Sequence, residues 1–226
     1  MTAPYSPLSL HRTALAAMGC LFECFICGEN AEEAQAIGRE VLDEVAQVDA
    51  QLSHYRPDSD IQRLNRYAAA EWVRVEPDLF RLLQRCAALT VQTGGAFDIA
   101  VGALLKVWDF HHGSGRVAAD PEVCAALKHS GMDKVLLDSD EHLVHFQAPA
   151  LTLNLGAIGK GYALDRCAET LRFYGPADGV IHGGQSTILA LGNAPSSASH
   201  QSKQSGCVTR PCPHRAVTAS SWRSKE

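Results

Sequence analysis

The stretch Leu151-Thr-Leu-Asn-Leu-Gly156-Ala-Ile-Gly-Lys160-Gly-Tyr162 carries the change of period on which the fold turns. Leu151, Leu153 and Leu155 alternate with Thr152 and Asn154, the two-residue period of a strand with one buried face. Past the glycines, Leu164, Cys167, Ala168 and Leu171 recur at three- and four-residue steps. That spacing predicts a helix from about Tyr162 to Tyr174, stopped by Gly175. A strand, a glycine turn and a helix in this order suit a phosphate or pyrophosphate. Glycines let the backbone approach a ligand, the N–H groups at a helix N-terminus attract an anion, and Lys160 adds a full positive charge. The glycine spacing is not that of a Walker A loop, and no Ser or Thr follows the lysine; it is not a dinucleotide fingerprint either. A plain strand-to-helix turn with an exposed lysine accounts for the same residues.

Upstream, Met18 to Gly28 reads as a buried strand rich in Leu, Phe, Ile and Cys. Asn30 is an N-cap, with Glu33 completing a capping-box-like pattern. Ala34, Ile37, Val41, Val45, Val48 and Leu52 then mark the clearest amphipathic helix of the chain, ending near Ser53. His54 to Tyr67 is polar and reads as irregular. Trp72 to Val75 is a short strand. Pro77 opens a second helix with Leu79, Leu82, Leu83, Cys86 and Leu89 inward, stopped by Gly94-Gly95. A third helix runs from Asp120-Pro121 to Gly131. Lys134 to Asp138 and His142 to Gln147 form a hairpin around Ser139-Asp140. Val180 to Leu191 is strand, interrupted at Gly183-Gly184. These elements predict an α+β fold, with helices packed on mixed or antiparallel sheets.

The 226 residues are 46% hydrophobic and 20% charged, an ordinary globular balance and enough chain for one substantial core or two small lobes. A net charge of -5 argues against a nucleic-acid partner, which usually needs a basic face. No apolar stretch reaches the length of a membrane span. His11-Arg12 ahead of Thr-Ala-Leu-Ala-Ala-Met-Gly-Cys20 faintly resembles a signal peptide ending at a lipid-modified cysteine, but its apolar core is short and follows Pro4 and Pro7. The expectation is a cytoplasmic chain, with a periplasmic or membrane-anchored lipoprotein as the alternative. Eight cysteines form no secreted-type framework, and Cys86, Cys124 and Cys167 fall within helical apolar patterns as buried thiols.

After Pro195 the composition changes abruptly. Residues 196–226 hold eight Ser and no Leu, Ile or Phe; five Lys or Arg against one Glu make the segment +4 and leave -9 on the rest. Such a segment buries too little apolar surface to fold. The chain thus divides into an N-terminal extension, 1–16, a folded domain, 17–195, and a disordered tail, 196–226. The abruptness of the break also suggests a shifted reading frame or a truncation.

Three other clusters could carry chemistry. Thr93-Gly-Gly-Ala96-Phe97-Asp98-Ile presents a backbone edge, a ring and a carboxylate together, which suits a planar heterocycle; a helix C-cap followed by a strand explains it equally. Leu52-Ser-His-Tyr55-Arg-Pro-Asp-Ser59, with Leu64-Asn65 downstream, places an aromatic at a helix end where it could stack on a ligand, though ordinary loop chemistry explains Pro57, Asp58 and Ser59. Cys20-Leu-Phe-Glu-Cys24-Phe-Ile-Cys27 has the C-x3-C-x2-C spacing of a radical iron–sulfur site. A strand, however, turns Cys20 and Cys24 to one face and Cys27 to the other. The adjacent His111-His112 could ligate a metal, but sit in a glycine-containing loop.

Taken in order, the segments resemble the ApbE family of FAD:protein FMN transferases. The matching pieces are Ala17-Met18-Gly19; Leu52-Ser-His-Tyr55 with Asp58-Ser59 and Leu64-Asn65; Thr93 to Gly102 with Trp108 and Phe110; Leu153 to Tyr162 with Asp165; and Gly183-Gly184-Gln-Ser-Thr with Leu191-Gly192. The resemblance implies Mg²⁺-dependent transfer of FMN from FAD to a Ser or Thr of a target protein, with AMP released. Hydrolysis of FAD, as by a pyrophosphatase, and non-catalytic flavin binding are the alternatives. It also implies that Met18 and Tyr55 contact the flavin or its adenine part, that Ala96, Phe97 and Asp98 line the FAD site, that Asn154 and Lys160 contact FAD, and that the Ala157 carbonyl is a metal ligand. Asn154 stands where many members carry Asp. The family's other metal ligands are an Asp and a Thr of a C-terminal segment, and the tail after Pro195 contains no Asp. The expectation is therefore weak or absent transferase activity in this chain alone.

Overall fold

The computed structural model describes residues 9–110, 116–174, 178–184 and 186–192. They belong to two compact units, one of residues up to 49 and from 158 onward, the other of residues 50–157. Helices combine with antiparallel sheets in both, an α+β architecture.

The first unit is built on strands β1 (Ser9–Ala17), β2 (Cys20–Gly28), β6 (Gly179–Gly183) and β7 (Thr187–Leu191), in the order β1-β2-β6-β7 with every pairing antiparallel. Phe22, Cys24 and Ile26 of β2, Ile181 of β6 and Leu189 of β7 turn to one face and are buried. Helix α1 (Ala31–Leu52) brings Val41, Val45 and Val48 to that core, and α6 (Gly159–Phe173) brings Ala163, Leu164, Cys167 and Leu171. The Asn30 side chain accepts hydrogen bonds from the N–H groups of Glu32 and Glu33, at 3.1 and 3.3 Å, as the cap pattern predicts. Between the helices, Glu44 of α1 accepts from Arg166 and Thr170 of α6, at 3.2 and 3.0 Å.

In this unit two boundaries differ from the sequence reading. Residues 9–17, assigned above largely to an N-terminal extension, pair with β2 along its whole length, from Ser9↔Gly28 to Ala17↔Cys20. Strand propensity there is weak, and pairing with the apolar β2 supplies what local preference lacks. Met18 and Gly19 are consequently the turn between two strands rather than the start of one. Helix α6 also begins three residues early, at Gly159.

The second unit carries a three-stranded antiparallel sheet, β3 (Val73–Arg74), β5 (Leu143–Phe146) and β4 (Val135–Asp138) in that order, with the expected β4–β5 hairpin. Helix α3 (Pro77–Gln92) starts on Pro77 and buries Leu79, Leu82, Leu83 and Cys86. Residues 60–67, read as irregular, form helix α2 (Asp60–Tyr67), whose N-cap Ser59 accepts from Gln62 N–H at 3.0 Å and donates to the Ser53 carbonyl at 2.6 Å. Its apolar face is only Ile61 and Leu64, too few positions to show a period, yet both are fully buried. Two shorter helices follow, α4 (Gly102–Val107) and α5 (Asp120–Leu127).

Residues 151–155 keep the predicted alternation, with Leu151, Leu153 and Leu155 buried, but form no regular strand. Their backbone is bonded to a loop and a side chain instead. Gly102 N–H donates to the Thr152 carbonyl at 3.0 Å, and Asn154 N–H to the Ile99 carbonyl at 2.8 Å. A Cβ at Gly102 would lie 2.8 Å from the Thr152 carbonyl oxygen, so only glycine allows this approach. On the other side the Asn65 amide takes both backbone groups of Leu153, donating to its carbonyl at 3.1 Å and accepting from its N–H at 2.7 Å.

The described cysteines are free thiols that differ in burial. Burial pushes the Cys24 pKa up to about 11 and those of Cys86 and Cys167 to about 12. Cys124, expected inside, is exposed, because α5 buries only Ala126. Cys24 lies sealed within β2, and a protonated strand thiol facing the core cannot join Cys20 and Cys27 around a cluster. His111-His112, Gly175 and the 196–226 tail lie outside the described residues.

Two outcomes follow from this packing. Asn65→Ala should cost about 2–3 kcal/mol in urea unfolding, by leaving both groups of Leu153 without a partner. Asn65→Asp should cost nearly as much, because a carboxylate accepts but cannot donate to the Leu153 carbonyl. Separately, iodoacetamide at pH 8 should label Cys124 of the native chain and spare Cys24, Cys86 and Cys167, whose raised pKa values leave almost no thiolate at that pH; peptide mass mapping reads the difference.

Candidate functional site

In the first unit the chemistry gathers at one end of the sheet. Antiparallel pairing puts the β1–β2 turn and the β6–β7 turn at that same end, because Ala17 faces Cys20 and Phe22 faces Gly183. The N-terminus of α6 meets them there. Its N-cap Ile158 offers no side-chain bond and its first turn holds no acidic residue, so the helix dipole is balanced neither by a cap nor by a carboxylate. Lys160 sits in that first turn, half-buried. Gly184 has φ +51°, and its N–H donates to the Leu21 carbonyl at 3.0 Å. A Cβ on Gly184 would stand 3.1 Å from Cys20 Sγ and 3.8 Å from Lys160 Nζ. The glycine, which would carry a Cβ only 2.8 Å from Cys20 Cβ, thus allows the β6–β7 turn to pack closely on Cys20, with the Lys160 ammonium alongside. The Gly-Lys-Gly start of α6 and the Gly183-Gly184 turn, far apart in sequence, are brought together here. Met18, half-buried, lies in the neighbouring β1–β2 turn with φ 50°, and its N–H donates to Asp49 Oδ1 at 3.2 Å.

In the second unit the Asp98 carboxylate is a brace. Oδ1 accepts from Ala100 N–H at 2.7 Å and Oδ2 from Met132 N–H at 2.9 Å. It ties residues 98–100 to residue 132, and Gly131 N–H donates to the Ala100 carbonyl alongside, at 2.9 Å. The next residue, Ile99, accepts from Asn154 N–H, so Asp98 and Asn154 lie on adjacent segments. Asn154 Oδ1 in turn accepts from Gly156 N–H at 2.9 Å, shaping the turn that leads to Ala157. An Asp would supply the same acceptor; the amide keeps the turn and loses only the charge. Ala96 is exposed and Phe97 half-buried, held by Phe97 N–H donating to Thr93 Oγ1 at 3.0 Å. Tyr55 follows α1 on a loop, 75% exposed, its N–H donating to Ser53 Oγ at 3.2 Å. The structure therefore makes two local groups of the expected site residues, Met18 with Lys160 in one unit and Asp98 with Asn154 in the other.

Asp49 was not singled out from sequence, and Cys20 was marked only by its cysteine spacing, for a different chemistry. Each meets the site through a fold contact with a residue distant in the chain, which no local pattern records. Among the described residues no three His, Cys, Asp or Glu side chains converge as a metal cluster, and the Ala157 carbonyl is the one expected ligand that they contain.

Comparison with known proteins bears on the fold and the family. The chain is 33% identical over 140 residues to an FAD:protein FMN transferase of Klebsiella pneumoniae, covering 61% of this chain and 44% of the relative. It is 30% identical over 167 residues to one of Treponema pallidum, covering 72% of this chain and 46% of the relative. The chain thus spans less than half the length of these relatives. Among solved structures, the ApbE protein of Thermotoga maritima superposes with a TM-score of 0.76 at 26% identity, over 82% of this chain and 60% of that one. The apo flavinyl transferase ApbE of Pseudomonas stutzeri gives 0.71 at 23% identity, over 84% and 70%, which speaks for the fold alone. Residues 18–203 match the model of the ApbE family, and with these likenesses in fold and sequence the chain belongs to that family.

Proposed function

We propose that the chain binds FAD and serves in the transfer of its FMN part to a Ser or Thr hydroxyl of an acceptor protein, with AMP leaving and Mg²⁺ assisting. The observation that carries this reading is the corner formed by Lys160, the uncapped N-terminus of α6 and the Gly183-Gly184 turn beside them. A pyrophosphate suits that corner in charge. The helix N–H groups and the ammonium would offset its negative charge. In the reaction the acceptor oxygen forms a bond to the FMN phosphorus as the pyrophosphate P–O bond breaks. AMP takes the bonding pair, and the hydroxyl proton passes to solvent. Lys160 acts by neutralising charge on the phosphate oxygens. Met18, Tyr55, Ala96, Phe97, Asp98 and Asn154 complete the proposed FAD contacts.

Mg²⁺ would polarise a phosphoryl oxygen. It takes about six oxygen ligands, and the Ala157 carbonyl cannot hold it alone. The described residues do not fit the ion by themselves, and none of the steps above passes through it. That same observation favours, as a second reading, a flavin-binding protein without transfer or pyrophosphatase activity.

No described helix is long and apolar enough to cross a membrane. The cytoplasm is the proposed location, with a periplasmic or membrane-anchored lipoprotein as the alternative; a cut before Cys20 would remove β1, which speaks against the lipoprotein.

Flavin fluorescence titration separates the readings. FAD should bind, and Lys160→Ala should weaken it about tenfold or more with no change in melting temperature, since Lys160 is not a core residue. Binding that needs no Mg²⁺, together with no FMN on an acceptor peptide and no AMP release, favours the binder. Covalent FMN on the peptide with stoichiometric AMP establishes the transferase. A Lys160→Ala variant that binds as wild type removes the pyrophosphate corner.

A further inference from the structure

The turn between β1 and β2 is closed by only two residues, Met18 and Gly19, both with positive φ, 50° and 70°. Gly19 takes that conformation freely. Met18 does not, because an L side chain is strained there. In a two-residue hairpin the flanking pair, here Ala17 and Cys20, closes the ladder, and the N–H of the first turn residue has no strand partner. That donor would ordinarily go to water. Here Asp49, three residues before the end of α1, reaches across and accepts it at 3.2 Å. A carboxylate on a long helix, itself packed into the core through Val41, Val45 and Val48, is a rigid anchor. A hydrogen bond to a charged acceptor is also stronger than one to a neutral group. Strain held in place by a dedicated side chain points to a conformation that is needed rather than merely tolerated.

We propose that Asp49 is a positioning residue for FAD binding: its carboxylate holds the Met18–Gly19 turn in its left-handed form, and so fixes Met18 at the end of the sheet where Lys160 and Gly184 lie. This rests on the flavin-binding reading above. Asp49 touches no ligand in this scheme; it acts through the Met18 backbone. A simple structural brace would make a different pattern. Replacing Met18 by glycine should relieve strain and raise the melting temperature, while leaving FAD a softer and smaller contact. Stability and affinity then move in opposite directions, which a purely structural turn would not show.

The test is FAD titration and thermal melting of the full chain with Asp49→Ala, Asp49→Asn, Met18→Gly and the Asp49→Ala/Met18→Gly double variant. Asp49→Ala should remain folded and bind FAD about tenfold more weakly. Asp49→Asn should stay within about twofold of wild type, because its amide oxygen still accepts from Met18 N–H. Met18→Gly should melt higher and bind more weakly. The double variant should bind no worse than the weaker single variant, since one residue acts through the other. Asp49→Ala binding FAD like wild type would sink the positioning role alone. Losses that multiply in the double variant would sink it too, by showing that Asp49 acts independently of Met18. Unfolding of Asp49→Ala would make the residue a fold determinant and overturn the role. Absence of FAD binding by the wild-type chain would bring down both this role and the flavin reading.

Discussion

The Asn65 amide paired with both backbone groups of Leu153 is the constraint on which the second unit depends. Residues 151–155 have the apolar alternation of a strand but no strand beside them. Buried backbone groups without partners are costly, and a segment carrying three buried leucines cannot turn its polar groups to water. Asn65 solves this on one side, and Ile99 and Gly102 on the other. The segment is thereby held at a fixed height, and the turn from Asn154 to Ala157 starts from a defined point. Asp98 extends the same logic. Each of its oxygens accepts a backbone N–H, so a residue that looks like a ligand contact in sequence also builds the loop on which Ala96 and Phe97 stand.

The first unit builds the proposed site by a different route. Its antiparallel sheet delivers two turns to one end, and α6 buries Ala163, Leu164, Cys167 and Leu171 while its N-terminus points its dipole to that same end. One helix therefore serves the core with its side and the site with its tip. The arrangement holds its charge without a cap: the usual Ser, Thr, Asp or Asn is absent from α6, whereas α1 and α2 have Asn30 and Ser59. A helix N-terminus left uncapped beside a lysine suits an anion that arrives from outside the chain.

Much was legible before the structure. The 3.6-residue period of α1 and α3, the β4–β5 hairpin and the glycine interruption between β6 and β7 all rest on local signals. Long apolar patterns, Pro at a helix start and Gly at its stop decide an element without help from elsewhere. The misreadings fell where the local signal is short or weak. Helix α2 has two buried apolar positions, β1 is largely Ala and polar residues, and α5 turns Cys124 outward. In each case burial was set by what lies opposite.

By itself the sequence determined the α+β class, the two best helices, the order of motifs that places the chain in its family, and the candidacy of Lys160 at a glycine turn. These follow from period, capping and residue chemistry, which act over a few residues. Only the tertiary structure decided that Lys160 meets Gly184 and Cys20, that Asn65 braces Leu153, and that Asp49 holds Met18 in a strained turn. Those contacts join residues far apart in the chain. Their energy comes from satisfying buried donors and acceptors in one particular packing, and no local pattern records it.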